Sequence, residues 1–342
     1  MGRVPDFMLR SVAFIGDQSQ GHPFEVRGTA FLVGYPLSGW ERDLEPPQPI
    51  EKTGNVSHAT YLVSARHTIE GIRAGGRQPH LRTNDMDGNA LQPIKVPLEG
   101  WYELPNDPDT GYYHDVAVFP LDFIEGVDLA YIPLEWSALP NRIKDANIGL
   151  GDDVFFPGLF YHRVGENKNI PIIRKGTLAA MVDWNEPVLV KKRDGENVQE
   201  VVHLIEIRSI SGFSGSPVFA HPVGVREDPD THEWTVKSYH EAYLLGLMAG
   251  HWDEPHMRED GETEKVNVGV GYVTPVEKIL EALDMPEIEQ EREKRAKTEA
   301  DKLVAATQDD LSEEPTYTRA DYLGDLHKAT RPFPPEQSDQ EA

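Results

Sequence analysis

Apolar residues in this chain fall in many short runs separated by polar stretches rich in glycine, proline, asparagine and aspartate. Met8 to Ile15 and Glu25 to Gly34 read as two strands across a polar turn from Gly16 to Pro23. Further strand-sized runs are Ala59 to Ala65, Val116 to Leu121, Ile170 to Ile173, Gly176 to Val182, Val188 to Val190, Val201 to Ile207, Pro217 to Ala220, Tyr243 to Ala249 and Val266 to Val273. Turns close between them: an Asp-Gly signal at Asp85-Met86-Asp87-Gly88-Asn89, another turn at Asn106 to Gly111, and a hairpin over Arg226 to His232. Residues 35–57 carry four prolines and predict a long surface loop, and His251 to Lys265 predicts a polar loop. Short strands at turn-sized spacing predict an all-β barrel or sandwich.

Helical periodicity enters late. Thr274-Pro275-Val276-Glu277 reads as a helix start, with Thr274 as N-cap and a proline in the first turn. Val276, Ile279, Leu280 and Leu283 then share one face, and Pro286 is expected to stop the helix. Residues 287–306 alternate acidic and basic side chains and predict an exposed helix, while residues 307–342 lack apolar periodicity and predict a disordered tail.

Chemistry concentrates at Ile210-Ser211-Gly212-Phe213-Ser214-Gly215-Ser216-Pro217. A turn of glycine and serine between two apolar runs bends sharply and presents backbone N–H groups beside an exposed hydroxyl. Acyl transfer needs that combination: a nucleophile, and donors for the developing oxyanion. A serine nucleophile also needs a base and an acid that orients the base. His67 follows the run Tyr61-Leu62-Val63-Ser64-Ala65, and Asp115 opens the run Val116-Ala117-Val118-Phe119. Asp122 competes for the acid role from the far end of the same run.

Ser64-Ala65-Arg66-His67, Asp115-Val116-Ala117 and Gly212-Phe213-Ser214-Gly215-Ser216-Pro217 together resemble the three motifs of the trypsin/chymotrypsin superfamily of serine endopeptidases, in its bacterial and intracellular branches. Gly28-Thr29-Ala30-Phe31 resembles an early strand of the same family. The resemblance covers roughly residues 8–284. It implies an all-β fold of two packed six-stranded antiparallel barrels, followed by a C-terminal helix and an acidic, partly disordered tail. The implied domains are 8–150, carrying His67 and Asp115, 151–284, carrying Ser214, and the charged helix and tail at 285–342. It further implies that Gly212 and Ser214 supply the oxyanion-hole amides, and that Arg208, Ala249 and Gly250 border the substrate pocket. An arginine at 208 would favour an acidic substrate side chain. Phe213 stands where secreted zymogens often carry an aspartate, which implies activity without N-terminal cleavage.

Composition narrows the setting. Among 342 residues there is no cysteine, which favours a reducing compartment over a secreted one. No leader-like segment or long apolar run stands out, so the expected location is cytoplasmic, with no membrane. A net charge of −25 argues against nucleic acid. No cofactor is expected. Asp85 to Asn89 starts like a calcium loop but lacks the closing glutamate at Val96, and His251, Asp253, Glu254 and His256 lack metal-ligand spacing, so no metal is expected either. The expected partners are a peptide or protein substrate and a protein docked through the tail. Two other readings remain beside the endopeptidase: a non-catalytic peptide-binding adaptor on the same fold, and a hydrolase of a small ester or amide.

Overall fold

The computed structural model describes residues 7–18, 23–37, 40–42, 58–122, 124–158, 165–191, 196–207, 212–222, 224–227, 232, 234–237, 242–257 and 263–310. The chain divides into a body, Met1–Arg292, and a second unit, Glu293–Ala342.

The first half begins with a single helical turn, α1 (Phe7–Arg10), where a strand was expected to start. The strands follow as β1 (Val12–Asp17), β2 (Glu25–Pro36) and β3 (His58–Ser64), then helix α2 (Arg66–Ala74). After them come β4 (Pro79–Arg82), β5 (Ile94–Lys95), β6 (Tyr102–Glu103), β7 (Ala117–Pro120) and β8 (Ile132–Pro133). These eight strands form one sheet in the order β5-β4-β1-β2-β3-β7-β6, with β8 alongside β2. The turn at 85–89 forms as expected. Asp85 accepts the backbone N–H groups of Asp87 and Asn89, and Gly88 takes the left-handed φ of +85° that the turn requires.

Helix α3 (Pro140–Ala146) leads into the second half. There β9 (Asp153–Gly158), β10 (Ile172–Ala180), the hairpin β11 (Val188–Lys191) and β12 (Asn197–Glu200), and β13 (His203–Glu206) precede the serine turn. After it run β14 (Pro217–His221), the hairpin β15 (Gly224–Glu227) and β16 (Trp234–Lys237), β17 (Tyr243–Met257) and β18 (Thr263–Pro275). Six of them close into a barrel in the order β10-β13-β18-β17-β14-β9. The strand expected over Val201 to Ile207 is shorter, β13 at His203–Glu206, with Val201 and Val202 linking it to β12. The polar loop expected from His251 is also a strand. β17 and β18 stay paired from Gly246–Pro275 out to Met257–Thr263. Polarity failed as a loop signal there because a two-stranded ribbon satisfies its backbone internally while both faces stay wet.

The C-terminal helices are α4 (Val276–Leu283) and α5 (Pro286–Asp310). Pro286 opens α5 rather than merely ending α4, because proline is tolerated at the first helical position. The expected charged helix at 287–306 lies within α5; the expected tail falls, beyond residue 310, outside the described residues. Thr274 does not cap α4: the residue before the helix is Pro275, and the Thr274 hydroxyl points to Glu200.

Three buried clusters organise the body. Phe156, Leu178, Ile205, Phe213, Val218, Leu245 and Val273 fill the barrel. Ile15, Leu62, Ile69, Ile72, Leu81 and Trp101 pack under α2. The largest cluster joins the halves, with Phe31, Tyr61 and Val118 from the sheet meeting Phe219, Leu244 and Leu247 from the barrel and Val276, Ile279 and Leu283 from α4. At roughly 1.5–3 kcal/mol per fully buried large apolar side chain, this shared core fixes sheet against barrel.

Candidate active site

His67 sits in the first turn of α2, which is nine residues long. The preceding Ala65 offers no side-chain cap. The cap comes from 48 residues away: Asp115 Oδ1 accepts the His67 backbone N–H at 2.8 Å. The other oxygen, Oδ2, accepts His67 Nδ1–H at 2.6 Å. One carboxylate therefore fixes both the helix start and the ring. A negative charge at a helix N-terminus contributes about 0.3–1 kcal/mol, and a charge-assisted hydrogen bond is stronger than a neutral one. With Nδ1 protonated, a neutral imidazole carries its lone pair on Nε2, the tautomer a general base needs. Asp115 is 3% exposed and bonded to His67, whereas Asp122 is exposed beyond β7.

Tyr113 completes the surroundings of Asp115. Its hydroxyl donates to Glu70 Oε2 at 3.3 Å and lies 3.5 Å from Asp115 Oδ1. Burial, then the charges of Asp115 and Glu70, push this phenol far above its ordinary value, so it stays a neutral donor. Arg66 stacks over the Tyr113 ring at 4.8 Å and binds Glu70 at 2.8 Å. His114, next in sequence, is buried: burial, then Lys278, lowers it to about 4.

Ser214 is held by backbone on two sides. Its carbonyl accepts the Thr29 N–H of β2 at 2.9 Å, and the next residue, Gly215, donates to Met248 O of β17 at 2.8 Å. Thr29 Oγ1 donates to Gly212 O at 3.0 Å. Both glycines take left-handed conformations, Gly212 at φ +107° and Gly215 at φ +84°. A Cβ on Gly215 would lie 2.2 Å from Thr29 O, 2.8 Å from Ser64 Oγ and 3.0 Å from the Ala65 nitrogen. The serine turn thus presses against the end of β3, two residues before His67. Phe213 is the anchor behind it, 1% exposed and edge-on to Phe156 at 5.5 Å. Ser214 itself is half-buried, and among the described residues its hydroxyl and the Gly212 and Ser214 N–H groups have no hydrogen-bond partner. N–H groups beside a serine hydroxyl are the combination that a bound carbonyl needs.

The remaining expected residues separate. Ala249 is buried in β17, and Gly250 lies against Tyr272, whose hydroxyl oxygen is 2.3 Å from where a Gly250 Cβ would stand. Arg208 lies outside the described residues. His251 pairs with Asp253 at 3.3 Å on the ribbon, and among the described residues no three metal-ligating side chains converge. Sequence reasoning missed Tyr113, Tyr272 and Glu200. Tyr113 had a local signal, its place two residues before Asp115; the other two come near Asp115 only through strand pairing.

A closed six-stranded antiparallel barrel beside an antiparallel sheet, with the histidine–aspartate pair on the sheet and the serine turn on the barrel, has a counterpart. The fold is chymotrypsin-like. No family model matches the chain, and no curated protein matches its sequence. Among solved structures, the active form of the Rv3671c protease from M. tuberculosis is similar at 15% identity and a TM-score of 0.42, covering 81% of this chain and 80% of that one. Human heparin binding protein is similar at 10% identity and a TM-score of 0.42, covering 83% and 93%. At such identities and scores the likeness adds nothing to the chemistry, which rests on this chain's own residues.

Proposed function

We propose that the chain is a serine endopeptidase acting through Ser214, His67 and Asp115, with a peptide or protein as substrate. The observation that carries the reading is the Asp115 carboxylate, which holds His67 by ring and backbone just after Ser64 and Ala65, against which the Gly215 end of the serine turn packs. In this reading Ser214 Oγ attacks the scissile carbonyl as His67 Nε2 takes its proton. The tetrahedral oxyanion forms against the N–H groups of Gly212 and Ser214. Imidazolium then returns the proton to the leaving amine, and water repeats the cycle on the acyl-enzyme. Asp115 stabilises the imidazolium without itself taking the proton. Each oxyanion donor is worth about 2.7–4 kcal/mol of barrier.

The test is labelling of the full chain with a fluorophosphonate probe beside Ser214→Ala. Labelling of the wild type alone is expected. Equal absence of labelling in both would overturn the reading in favour of a peptide-binding adaptor. A peptide library screened with the unlabelled wild type separates an endopeptidase from a hydrolase of small esters.

A further inference from the structure

The buried carboxyl of Glu200 has no part in the scheme above, yet it lies directly behind it. Glu200 ends β12 and is 1% exposed. The β11–β12 hairpin crosses the segment that carries the acid: Tyr113 N–H donates to Gln199 O at 2.8 Å. One residue further on, the Glu200 carboxyl receives the backbone N–H of Asp115. Its Oε1 lies 2.8 Å from the hydroxyl of Thr274, a fully buried residue at the end of β18. Glu200 therefore ties the acid's backbone to the barrel, while the acid's side chain ties down His67.

We propose that Glu200 is a positioning residue for the His67–Asp115 pair, fixing the Asp115 backbone through its amide and so the angle at which the Asp115 carboxylate meets the imidazole. This rests on the catalytic reading for its rate effects, and on geometry alone for its effect on the pair. The charge state follows from the surroundings. The titratable groups facing Glu200 are Asp115 and Tyr272, with Tyr113 beside Asp115; Glu70, Arg66 and His67 lie beyond these on Asp115's far side, and Asp253 beyond Tyr272. Among the described residues no cation touches the carboxyl directly. Burial first, and then the charge of Asp115, push Glu200 well above the usual carboxylate range, which favours its neutral form. The carboxyl serves there as an acceptor: Oε1 takes the Thr274 hydroxyl at 2.8 Å, and the carboxyl takes the Asp115 N–H. Two adjacent anions would compete for His67, and one anion with one neutral acid does not.

The test uses the full chain and three proteins: wild type, Glu200→Gln and Glu200→Met. Glutamine keeps the shape and an acceptor without charge, and methionine keeps the bulk without an acceptor. Two readouts are taken. One is the rate of fluorophosphonate labelling against pH. The other is the low-field proton signal of His67 Nδ1–H, read in a Ser214→Ala background that needs no nucleophile. Glutamine is expected to keep the signal, to label within about threefold of wild type and to leave the inflection of the pH profile unmoved. Methionine is expected to lose or shift the signal and to label at least about tenfold more slowly at pH values where it is still folded. A methionine variant with wild-type signal and rate overturns the proposal. So does a glutamine variant with a moved inflection, which would mean that His67 feels a charge at position 200; this arm holds even if methionine does not fold. If wild type fails to label but the signal responds as expected, the catalytic reading fails and the positioning role stands.

Discussion

The sheet and the barrel hold their halves of the site by different means. On the sheet side, side chains do the holding: Asp115 grips His67, Tyr113 leans on Asp115 and Glu70, and Arg66 covers Tyr113. On the barrel side, backbone does it: Ser214 O, Gly215 N and Ser216 O are each bonded to a strand, and Phe213 is driven into the apolar core. A base must carry a charge through the reaction, so it needs charged partners tuned around it. A nucleophile and its oxyanion donors need only be placed, and a turn locked by backbone hydrogen bonds is placed at little cost in side-chain entropy. Changes on the sheet side should therefore alter rate more than stability, and changes behind the serine turn should do the reverse.

Asp115→Asn gives the largest effect. The amide cannot accept from Nδ1–H with the same strength and favours the wrong tautomer, so labelling should slow by about 10³–10⁴-fold. Stability should fall by only about 1 kcal/mol, the worth of a lost helix cap. A loss of labelling matched by unfolding at the assay temperature would break the comparison.

Phe213→Ala is the mirror case. Removing a fully buried ring from the barrel core should cost about 3–5 kcal/mol, seen as a large drop in melting temperature. Labelling below the transition should persist at a reduced rate. A variant that melts like the wild type would show that the turn does not depend on its anchor.

Acid should act on both halves through one buried histidine in each. His114 beside β7 and His203 on β13 are both lowered from 6.5 to about 4, chiefly by burial. His203 Nδ1 accepts the Val182 N–H at 3.0 Å, which needs the neutral ring. A depressed value means that the stabilising contribution is complete above about pH 6.5 and is lost as pH falls through about 4. His203→Gln and His114→Gln should each flatten the acid limb of a melting-temperature profile. The one that flattens it more identifies the half that opens first.

Glu277 in α4 gives the smallest effect. Burial raises it from 4.5 to about 7. Its contribution is complete below about pH 4.5 and lost as pH rises through about 7. Glu277→Gln should leave melting at pH 5 unchanged and raise it at pH 8 by about 2 °C, roughly 1 kcal/mol. No gain at pH 8 would show that the carboxyl is already solvated.

Much of this was legible in local sequence. Short continuous apolar runs such as Tyr61 to Ser64 and Tyr243 to Ala249 predict their strands because each must be buried on both faces whatever its neighbours are. The glycines at 212 and 215 mark a turn because left-handed backbone excludes most other residues. His67, Asp115 and Ser214 stood out because each lies at the edge of such a run. What only the tertiary structure decided lies between distant segments. The β17 arm of the β17–β18 ribbon, from His251 onward, is mostly polar, so its pairing with β18 leaves little local signature. Thr274 reads as a helix cap and instead serves Glu200, because a hydroxyl takes whichever buried partner the fold supplies. Glu200 reads as one more acid among 58 acidic residues, and acquires meaning only where β12 crosses Asp115. Backbone preference and the hydrophobic period act over a few residues and are written in them. The state of a buried polar group depends on what folding brings within about 3 Å of it, and no local pattern carries that.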